Sequence, residues 1–491
     1  MAATLQGRAT TLTGLCHDFA PILRYVKAGI RITPRIGKQG GRTMSTEPSS
    51  PALRVRAALQ AAMAQGPATR AVRAFALVTL APVVLLILGI ALGGVWAAGA
   101  LVFITALVHA LDRFVARAAP HVPDAQEFPA ADRLSQVLAV VHLALLPLVV
   151  WAVAGDSGLS GPARIAIFMG AGLWFGQVSN SNAHELIHRT DPRLYRLGVA
   201  VYVSLLYGHH ASAHRHVHHR YVASFDDPNS ARRGEHFYDF LLRAWPGEFA
   251  AGHEIETSLR ARVKDPGPHP YVIYLGGGLV VAVVMAGLLG LGGLLVWLAF
   301  CAYAQVQLML SDYVQHYGLE RARLPGGKLQ PVGPQHSWNA PKWFSSTLML
   351  NAPLHSDHHA HPARPYPMLD MPQDAPRLPY SLPVMGAIAL IPPVWHRMMD
   401  PRLGRVAARN QPAPQDAVDP DEVDPEKVET GTPLAVWPAQ IPPTTPAPVS
   451  AAPAAPRPPA AAPALPHGPA PDGADDPESA LLARVRAAGT R

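Results

Sequence analysis

Six long apolar runs constrain the fold of this chain more than any other feature of its sequence. They cover roughly residues 74–93, 95–111, 135–154, 163–182, 271–289 and 292–311. A helix needs about 20 predominantly apolar residues to cross the hydrocarbon core of a bilayer. Charged residues make up only 15 % of the chain, against roughly 25 % in soluble domains. The sequence therefore predicts an all-α integral membrane protein with six transmembrane helices.

The positions of glycine and of basic residues predict how these runs are arranged. Gly93 and Gly94 connect the first two runs, and residues 290–293 connect the last two, so both pairs are expected to form hairpins. The opposite ends of the runs carry the basic residues Arg70, Arg73, Arg113, Arg117, Arg189, Arg193, Arg196, Arg260, Arg262, Lys264, Arg321 and Arg323. Cytoplasmic loops of membrane proteins carry an excess of lysine and arginine. Those ends and both termini are therefore predicted to be cytoplasmic. No basic cluster is interleaved with aromatic residues, so no nucleic-acid partner is expected.

The composition divides the chain into three parts. Residues 1–70 are predicted to be a basic, flexible N-terminus, and we expect Met44 to be the native start. Residues 71–400 are predicted to be the membrane domain, in which 382–395 is expected to be an interfacial helix. Residues 401–491 are rich in proline and alanine and cannot bury enough apolar surface to fold. They are predicted to be a disordered tail.

Nine histidines form three short boxes and one isolated site near the predicted cytoplasmic ends of the runs. They are His184 and His188; His214, His218 and His219; His316; and His355, His358 and His359. Offsets of three and four residues place two side chains on one face of a helix, and neutral imidazole is a common metal ligand. Nine rings exceed the needs of one ion and suit two. The pattern predicts a dinuclear metal site at the membrane edge, and with it an enzyme that activates oxygen.

Two other interpretations of the boxes are weaker. Residues 184–188 have the letters H-E-x-x-H of zinc proteases, but they follow an apolar run and are followed by further boxes. A histidine-rich metal transporter would need ionisable residues inside its spans, and the first three runs are expected to contain essentially none. Cys16 and Cys301 are too few for an iron–sulfur or rubredoxin-type centre. Electrons are therefore expected to come from another protein.

The boxes, together with Asp-Tyr-Val-Gln-His-Tyr-Gly at residues 312–318, resemble the motifs of the membrane-bound alkane monooxygenases, or alkane hydroxylases. That family belongs to the fatty-acid desaturase/hydroxylase superfamily of integral-membrane diiron enzymes. The resemblance covers roughly residues 70–400 and includes the order of the motifs. It implies a cytoplasmic cap in which two non-haem iron ions are bound by His184, His188, His214, His218, His219, His316, His355, His358 and His359. It implies no catalytic residue beyond these ligands.

The same resemblance implies O2-dependent hydroxylation of medium-chain alkanes, or related hydrocarbon chains, to primary alcohols. Rubredoxin and rubredoxin reductase would supply electrons, and the alkane would arrive from the bacterial inner membrane. The alternatives within the superfamily are a fatty-acyl desaturase and a xylene- or carotenoid-type hydroxylase. These have similar boxes but lack the complete set, in particular His316 followed by Tyr317 and Gly318. The sequence predicts neither the chain length of the substrate nor the oligomeric state.

The chain departs from the family pattern at several positions. Ala213 and Gln315 stand where the family usually has glutamate, and Val217 stands where it usually has glycine. The loss of two carboxylates bears on substrate preference and redox tuning, whereas all nine histidines are retained.

Other polar residues near the boxes are weaker candidates. The acids that could orient an imidazole by accepting a ring N–H are Glu185, Asp227, Asp312 and Asp357, although each is equally well explained as a loop or cap residue. The histidines beside the boxes are His209, His210, His216 and His361. They are either hydrogen-bond partners of the ligands or solvent-facing residues. We exclude His216 because its offset of two from both His214 and His218 points it away from them.

Overall fold

The computed structural model describes residues 67–115, 129–324 and 326–410. The helices are α1 (Pro67–Leu92), α2 (Gly94–Phe114), α3 (Pro129–Ala154), α4 (161–187), α5 (Pro192–Ser204), α6 (210–221), α7 (Phe237–Ala261), α8 (Pro270–His316), α9 (Trp343–Leu348), α10 (His355–Ala360), α11 (Leu382–Ala389) and α12 (Pro392–Asn410). The predicted all-α class is confirmed for this part of the chain. The predicted N-terminal segment before α1, the Met44 start and residues 411–491 lie outside the described residues.

Four of these helices are long and apolar enough to cross a membrane, by length and composition. They are Ala71–Leu92 of α1, then α2, α3 and the 47-residue α8. The fourth predicted run lies in α4, which changes from α-helix to π-helix over Trp174–Ser179 and back to α-helix over Asn180–Ile187. A π-helical turn inside an α-helix often accompanies a functional site, and this one immediately precedes the first histidine box.

The long helix α8 turns back on itself at Gly290. This residue has φ 64° and ψ −166°, a conformation outside the helical region that glycine tolerates. A Cβ atom added at Gly277 would lie 2.6 Å from Val203, and Trp297 Nε1 donates to the carbonyl of Ser204 at 2.9 Å. A straight helix would separate positions 277 and 297 by about 30 Å. Because both contact the end of α5, the two halves of α8 lie side by side, as the hairpin prediction expects.

Helix α4 lies at the centre of the bundle and carries the first histidine box out of it. Trp174 Nε1 donates to the carbonyl of Thr79 in α1 at 2.9 Å. Asn180 Nδ2 donates to the carbonyl of Ala304 in α8 at 2.9 Å. Beyond the bundle, α5 approaches α4 closely at Gly198, where an added Cβ would lie 2.8 Å from Leu186. These contacts fix the position of the last turn of α4.

The expectation that the first three runs lack ionisable residues is wrong, because the second run contains the exposed His109 and the third contains His142. This side chain is fully buried, and its ring nitrogens lie 2.6 Å from Ser179 Oγ and 2.8 Å from Ser204 Oγ. A buried polar group costs little when it is hydrogen-bonded. His142 therefore joins α3, α4 and α5 as a paired group.

The C-terminal helices differ from the predicted boundaries. Residues 382–395 were expected to be one interfacial helix, but they are divided between α11 and the start of α12. Helix α12 continues to Asn410, so residues 401–410 of the predicted tail are helical. The helix persists there because Leu403 is buried against Gly318.

Candidate metal centre

The structure brings all nine predicted histidines together, in two groups. The first group consists of His184, His188, His214, His219 and His358, and the second of His218, His316, His355 and His359. Within each group the candidate ligand atoms all lie within 4.8 Å of one another. The first group joins α4, α6 and α10, whereas the second joins α6, α8 and α10. Each group could hold one metal ion.

A π-helical segment in α6 explains how one short helix serves both groups. Residues His214–His218 are π-helical, and the backbone N–H of His219 donates to the carbonyl of His214 five residues earlier. The rings of these two residues therefore lie on one face, with their Nε2 atoms 3.0 Å apart. The intervening His218 reaches the second group instead. An ordinary α-helical turn would favour partners four residues apart.

The ring nitrogens converge as the ligands of an ion do. In the first group the Nε2 atoms of His184 and His214 lie 2.7 Å apart, and those of His219 and His358 lie 3.1 Å apart. In the second group the Nε2 atoms of His316 and His359 lie 3.0 and 3.1 Å from that of His355. Two ligands at right angles, each about 2.1 Å from an ion, would be about 3.0 Å apart. The spacing fits imidazoles that share an ion.

In five of the nine histidines, burial also favours the neutral form that metal binding requires. Burial lowers the pKa of His214, His219, His355, His358 and His359 well below its ordinary value, and the neighbouring rings act in the same direction. A neutral imidazole offers a lone pair to a metal. Within the part of the chain that the structure describes, the buried Nε2 atoms of His188 and His218 have no hydrogen-bond partner. The donor set therefore fits two ions of a borderline transition metal.

Asp227 is the one predicted acid that contacts a histidine of the two groups. Its Oδ2 atom accepts from His218 Nδ1 at 2.8 Å and from Ser230 Oγ at 2.7 Å. Burial acts to lower the pKa of His218, but Asp227, together with Asp312 and Glu248, outweighs burial and the pKa is raised. A hydrogen bond at Nδ1 leaves Nε2 directed at the metal position.

The other three acids have different partners. Glu185 pairs with Arg189 and accepts from the backbone N–H of Tyr366 at 3.0 Å. Asp312 accepts from Asn229 Nδ2 at 2.9 Å. Asp357 accepts from Arg364 and from His361, which is not in either group. These acids hold neighbouring segments in place, so the prediction that they orient ligand imidazoles is wrong for these three.

Ala213 and Gln315 stand where the family usually has glutamate, and they make packing and amide contacts instead. Ala213 faces α7, where a Cβ added at Gly252 would lie 2.9 Å from the Ala213 Cβ. Gln315 accepts from Ser311 Oγ at 2.8 Å and donates to the carbonyl of Ala352 at 3.1 Å.

A buried carboxylate that the sequence did not indicate lies nearby on α7. Glu248 is buried, and its two oxygens lie 2.5 Å from His210 Nδ1 and 2.5 Å from the hydroxyl of Tyr207. Burial acts to raise the pKa of Glu248, but His210 outweighs it and the pKa is about 2. His210 in turn packs against His214, with ring centroids 4.9 Å apart. In the sequence, Glu248 is one acid among several on an amphipathic helix, with no distinguishing signal.

A small cavity of about 50 Å³ lies beside both histidine groups. Its walls include His184, His214 and His355 together with the apolar side chains of Leu308 and Met349. His216, which the sequence analysis excludes, belongs to neither group. The arrangement places a partly apolar space directly against the candidate metal positions.

Comparison with known proteins connects this geometry to a family. The family model described as "Fatty acid desaturase" matches residues 160–386, from the start of α4 into α11. "Alkane 1-monooxygenase 2" of Pseudomonas aeruginosa is 28 % identical over 308 residues, which are 60 % of this chain and 81 % of that protein. "Alkane 1-monooxygenase 1" of Alcanivorax borkumensis is 32 % identical over 279 residues, 55 % of this chain and 67 % of that protein.

The chain belongs to the alkane monooxygenase family. The matches to these relatives and to the "Fatty acid desaturase" model confirm the resemblance of the histidine motifs to this family. A third relative, "Xylene/toluene monooxygenase hydroxylase component XylM" of Pseudomonas putida, is 29 % identical over 255 residues, 50 % of this chain and 66 % of that protein. The "Fatty acid desaturase" model covers all three histidine boxes and His316, so the part of the chain that forms the two groups is the part that matches this model.

Proposed function

We propose that this protein is an O2-dependent hydroxylase that converts medium-chain alkanes to primary alcohols. One observation carries the proposal: nine histidines, six of them buried and three half-buried, converge in two groups beside a partly apolar cavity. The names of the relatives support alkanes as the substrate class.

The proposed ligands of two non-haem iron ions are the members of the two groups. His184, His188, His214, His219 and His358 would hold one ion, and His218, His316, His355 and His359 the other. When bound, the iron centre supplies the activation of O2 for attack on an unactivated C–H bond. Burial favours the neutral form of His214, His219, His355, His358 and His359, and Asp227 fixes the ring of His218.

The residues that line the cavity would determine which substrate is selected. Leu308 and Met349 line it together with the histidines, and apolar walls favour a hydrocarbon over water. A terminal methyl group held against His184 and His355 would be the part of the substrate closest to the metals. Positioning of this kind supplies much of the effect of an enzyme on its reaction.

We also propose that the protein crosses the bacterial inner membrane six times, with the site and both termini in the cytoplasm. The turn at Gly290 supports two spans within α8, and α4 carries the remaining apolar run. Residues 71–400 would form the membrane domain. A site on the cytoplasmic side is accessible to soluble electron carriers, for which we propose rubredoxin and its reductase.

The test is expression in a host that lacks alkane oxidation, together with a rubredoxin system and isotopically labelled O2. We expect labelled primary alcohols from medium-chain alkanes. Xylene is supplied in parallel, because the similarity to the xylene hydroxylase component favours a methyl group on an aromatic ring as the second candidate substrate. Benzylic alcohol without alkanol would support that candidate, and new double bonds in acyl lipids without any alcohol would indicate a desaturase.

A further inference from the structure

A second, larger space lies on the outer surface of the molecule, between α7, the turn after α5 and the first turns of α8. Its volume is about 580 Å³. The apolar walls are formed by Leu206, Leu242, Trp245, Phe249 and Leu275. We call this space the α7 groove. It is distinct from the cavity at the histidines, whose lining residues it does not share.

The α7 groove opens on a surface suited to a bilayer. Tyr238, Leu242, Trp245 and Phe249 are spaced four, three and four residues apart, so they lie on one face of α7, and all four are exposed. The exposed face continues into the membrane-length helix α8 through residues 272–280. Helices with an apolar, aromatic-rich face lie in the plane of the membrane interface. The groove therefore opens towards the lipid.

Two polar atoms in the walls of the groove lack partners. Within the described residues, His209 Nε2 and Gln305 Oε1 are buried and accept or donate no hydrogen bond. Both residues are only 6 % exposed. The amide nitrogen of Gln305 donates to the carbonyl of Leu205 at 2.7 Å, so its oxygen is left as an acceptor. Buried polar atoms in native proteins are nearly always paired, and these two line a space open to a ligand.

The chemistry of the two atoms selects the ligand class. Burial lowers the pKa of His209 to about 4, so its ring is neutral. Gln305 Oε1 requires a hydrogen-bond donor, which neither an alkane nor a lipid ester carbonyl supplies. A carboxylate would only accept, and it would lie near the buried Glu248, which interacts electrostatically with His209. A neutral hydroxyl can donate to Gln305 and also pair with His209.

We infer that the α7 groove binds a straight-chain primary alcohol, with its hydroxyl between Gln305 and His209 and its chain on the apolar walls. This inference rests on the proposed function, since such an alcohol is the product of alkane hydroxylation. The groove and the cavity share a dividing wall: Gln305 is one helical turn from the cavity residue Leu308, and His209 adjoins the cavity residue His210. The groove is thus a release site from which the product passes to the bilayer.

The test uses a photoreactive straight-chain primary alcohol on the whole protein in lipid nanodiscs, with and without iron. We expect cross-links in peptides 206–209, 242–249 and 274–275. A methyl ether and an alkane probe of the same length, neither of which can donate a hydrogen bond, should label these peptides about tenfold less, the effect of one buried hydrogen bond. The substitutions Gln305→Leu and His209→Phe should reduce labelling by the alcohol to the level of the ether. The matched control is His253→Phe, which alters an exposed histidine on α7.

Equal labelling of the groove by all three probes would overturn the inference and leave an unselective lipid contact. Alcohol cross-links confined to the cavity at the histidines would also overturn it. The comparison of the three probes on the unmodified protein remains decisive if a variant fails to fold. Because labelling requires no turnover, it can succeed even if the protein does not hydroxylate alkanes, and it can fail although hydroxylation occurs.

Discussion

At the scale of single residues, the pairing of His218 with Asp227 shows how a buried imidazole is prepared for a metal. Asp227 is held by Ser230 Oγ and by the backbone N–H of Asn229. It accepts from Nδ1 of His218, which leaves Nε2 buried without a partner in the described part of the chain. The ring therefore has one orientation, with Nε2 directed at the metal position, before any ion binds.

We predict that Asp227→Asn weakens metal binding by roughly 10- to 100-fold, the usual effect of losing a hydrogen-bond partner of a metal ligand. The measurement is the iron content of the purified protein after dialysis against a series of chelator concentrations. Asp239→Asn is the control, because Asp239 is an exposed residue on α7. Equal iron retention by the two variants would show that Asp227 has no role at the metal.

A second prediction separates the histidines that resemble each other in sequence. His316→Ala should remove one of the two ions and abolish activity, because His316 is fully buried and its Nε2 lies 3.0 Å from that of His355. His216→Ala should retain both ions and nearly normal activity, because His216 belongs to neither group. Iron per protein and alcohol production are measured on both variants, and near-normal values for His316→Ala would remove that residue from the ligand set.

The histidines could be predicted because their chemistry is visible in short stretches of sequence. Glu248 could not, because its contact with His210 joins positions 38 residues apart. No local pattern distinguishes it from the other acids of α7. His142 was visible as a histidine within an apolar run, but its two serine partners lie on other helices.

At the scale of helices, the turn within α8 depends on a conformation that other residues rarely adopt. Gly290 combines φ 64° with ψ −166°, a region populated almost only by glycine. An added Cβ atom would meet nothing within 4 Å, so the cost of a side chain there comes from the backbone alone.

We therefore predict that Gly290→Ala lowers the free energy of unfolding by about 1–3 kcal/mol. Gly287→Ala is the matched control, because position 287 also has open space around it but lies within the helix. Alanine there should be neutral or stabilising, since it is favoured over glycine in helices by about 1 kcal/mol. Unfolding in mixed micelles measures the free energy of unfolding of both variants. An equal change in the two would contradict the claim that the turn requires glycine at position 290.

The apolar runs and their hairpin turns were predictable from composition and glycine positions. The exposed apolar face of α7 was not, because its residues Tyr238, Leu242, Trp245 and Phe249 are separated by polar, small and buried ones. The extension of α12 beyond residue 401 was missed because it depends on a distant contact between Leu403 and Gly318.

At the scale of the whole molecule, the two histidine groups join helices that are far apart in sequence. Residues from α4, α6, α8 and α10 meet there, and the order of the boxes alone did not indicate which histidines share a group. The division into five and four depends on the π-helical segment of α6, which sequence periodicity does not reveal.

We predict that removing the metal destabilises the entire membrane domain. A ligand present at 100 times its dissociation constant stabilises the folded state by about 2.7 kcal/mol, so chelation should lower the thermal midpoint by several degrees, and added ferrous iron should restore it. The control is the double variant His214→Ala, His316→Ala, whose midpoint the chelator should leave unchanged. An equal thermal midpoint for the iron-loaded and the chelated protein would contradict the prediction that the bound metal stabilises the domain.

The contribution of α10 to both groups has a consequence for biosynthesis. His355, His358 and His359 follow every apolar run in the order of synthesis, and each group includes at least one of them. Neither proposed coordination sphere can close while the ribosome is still delivering the helices to the membrane. Iron can therefore be bound at both sites only after translation has passed α10. A chain interrupted before residue 355 would lack ligands of both proposed ions and would not retain iron at either site.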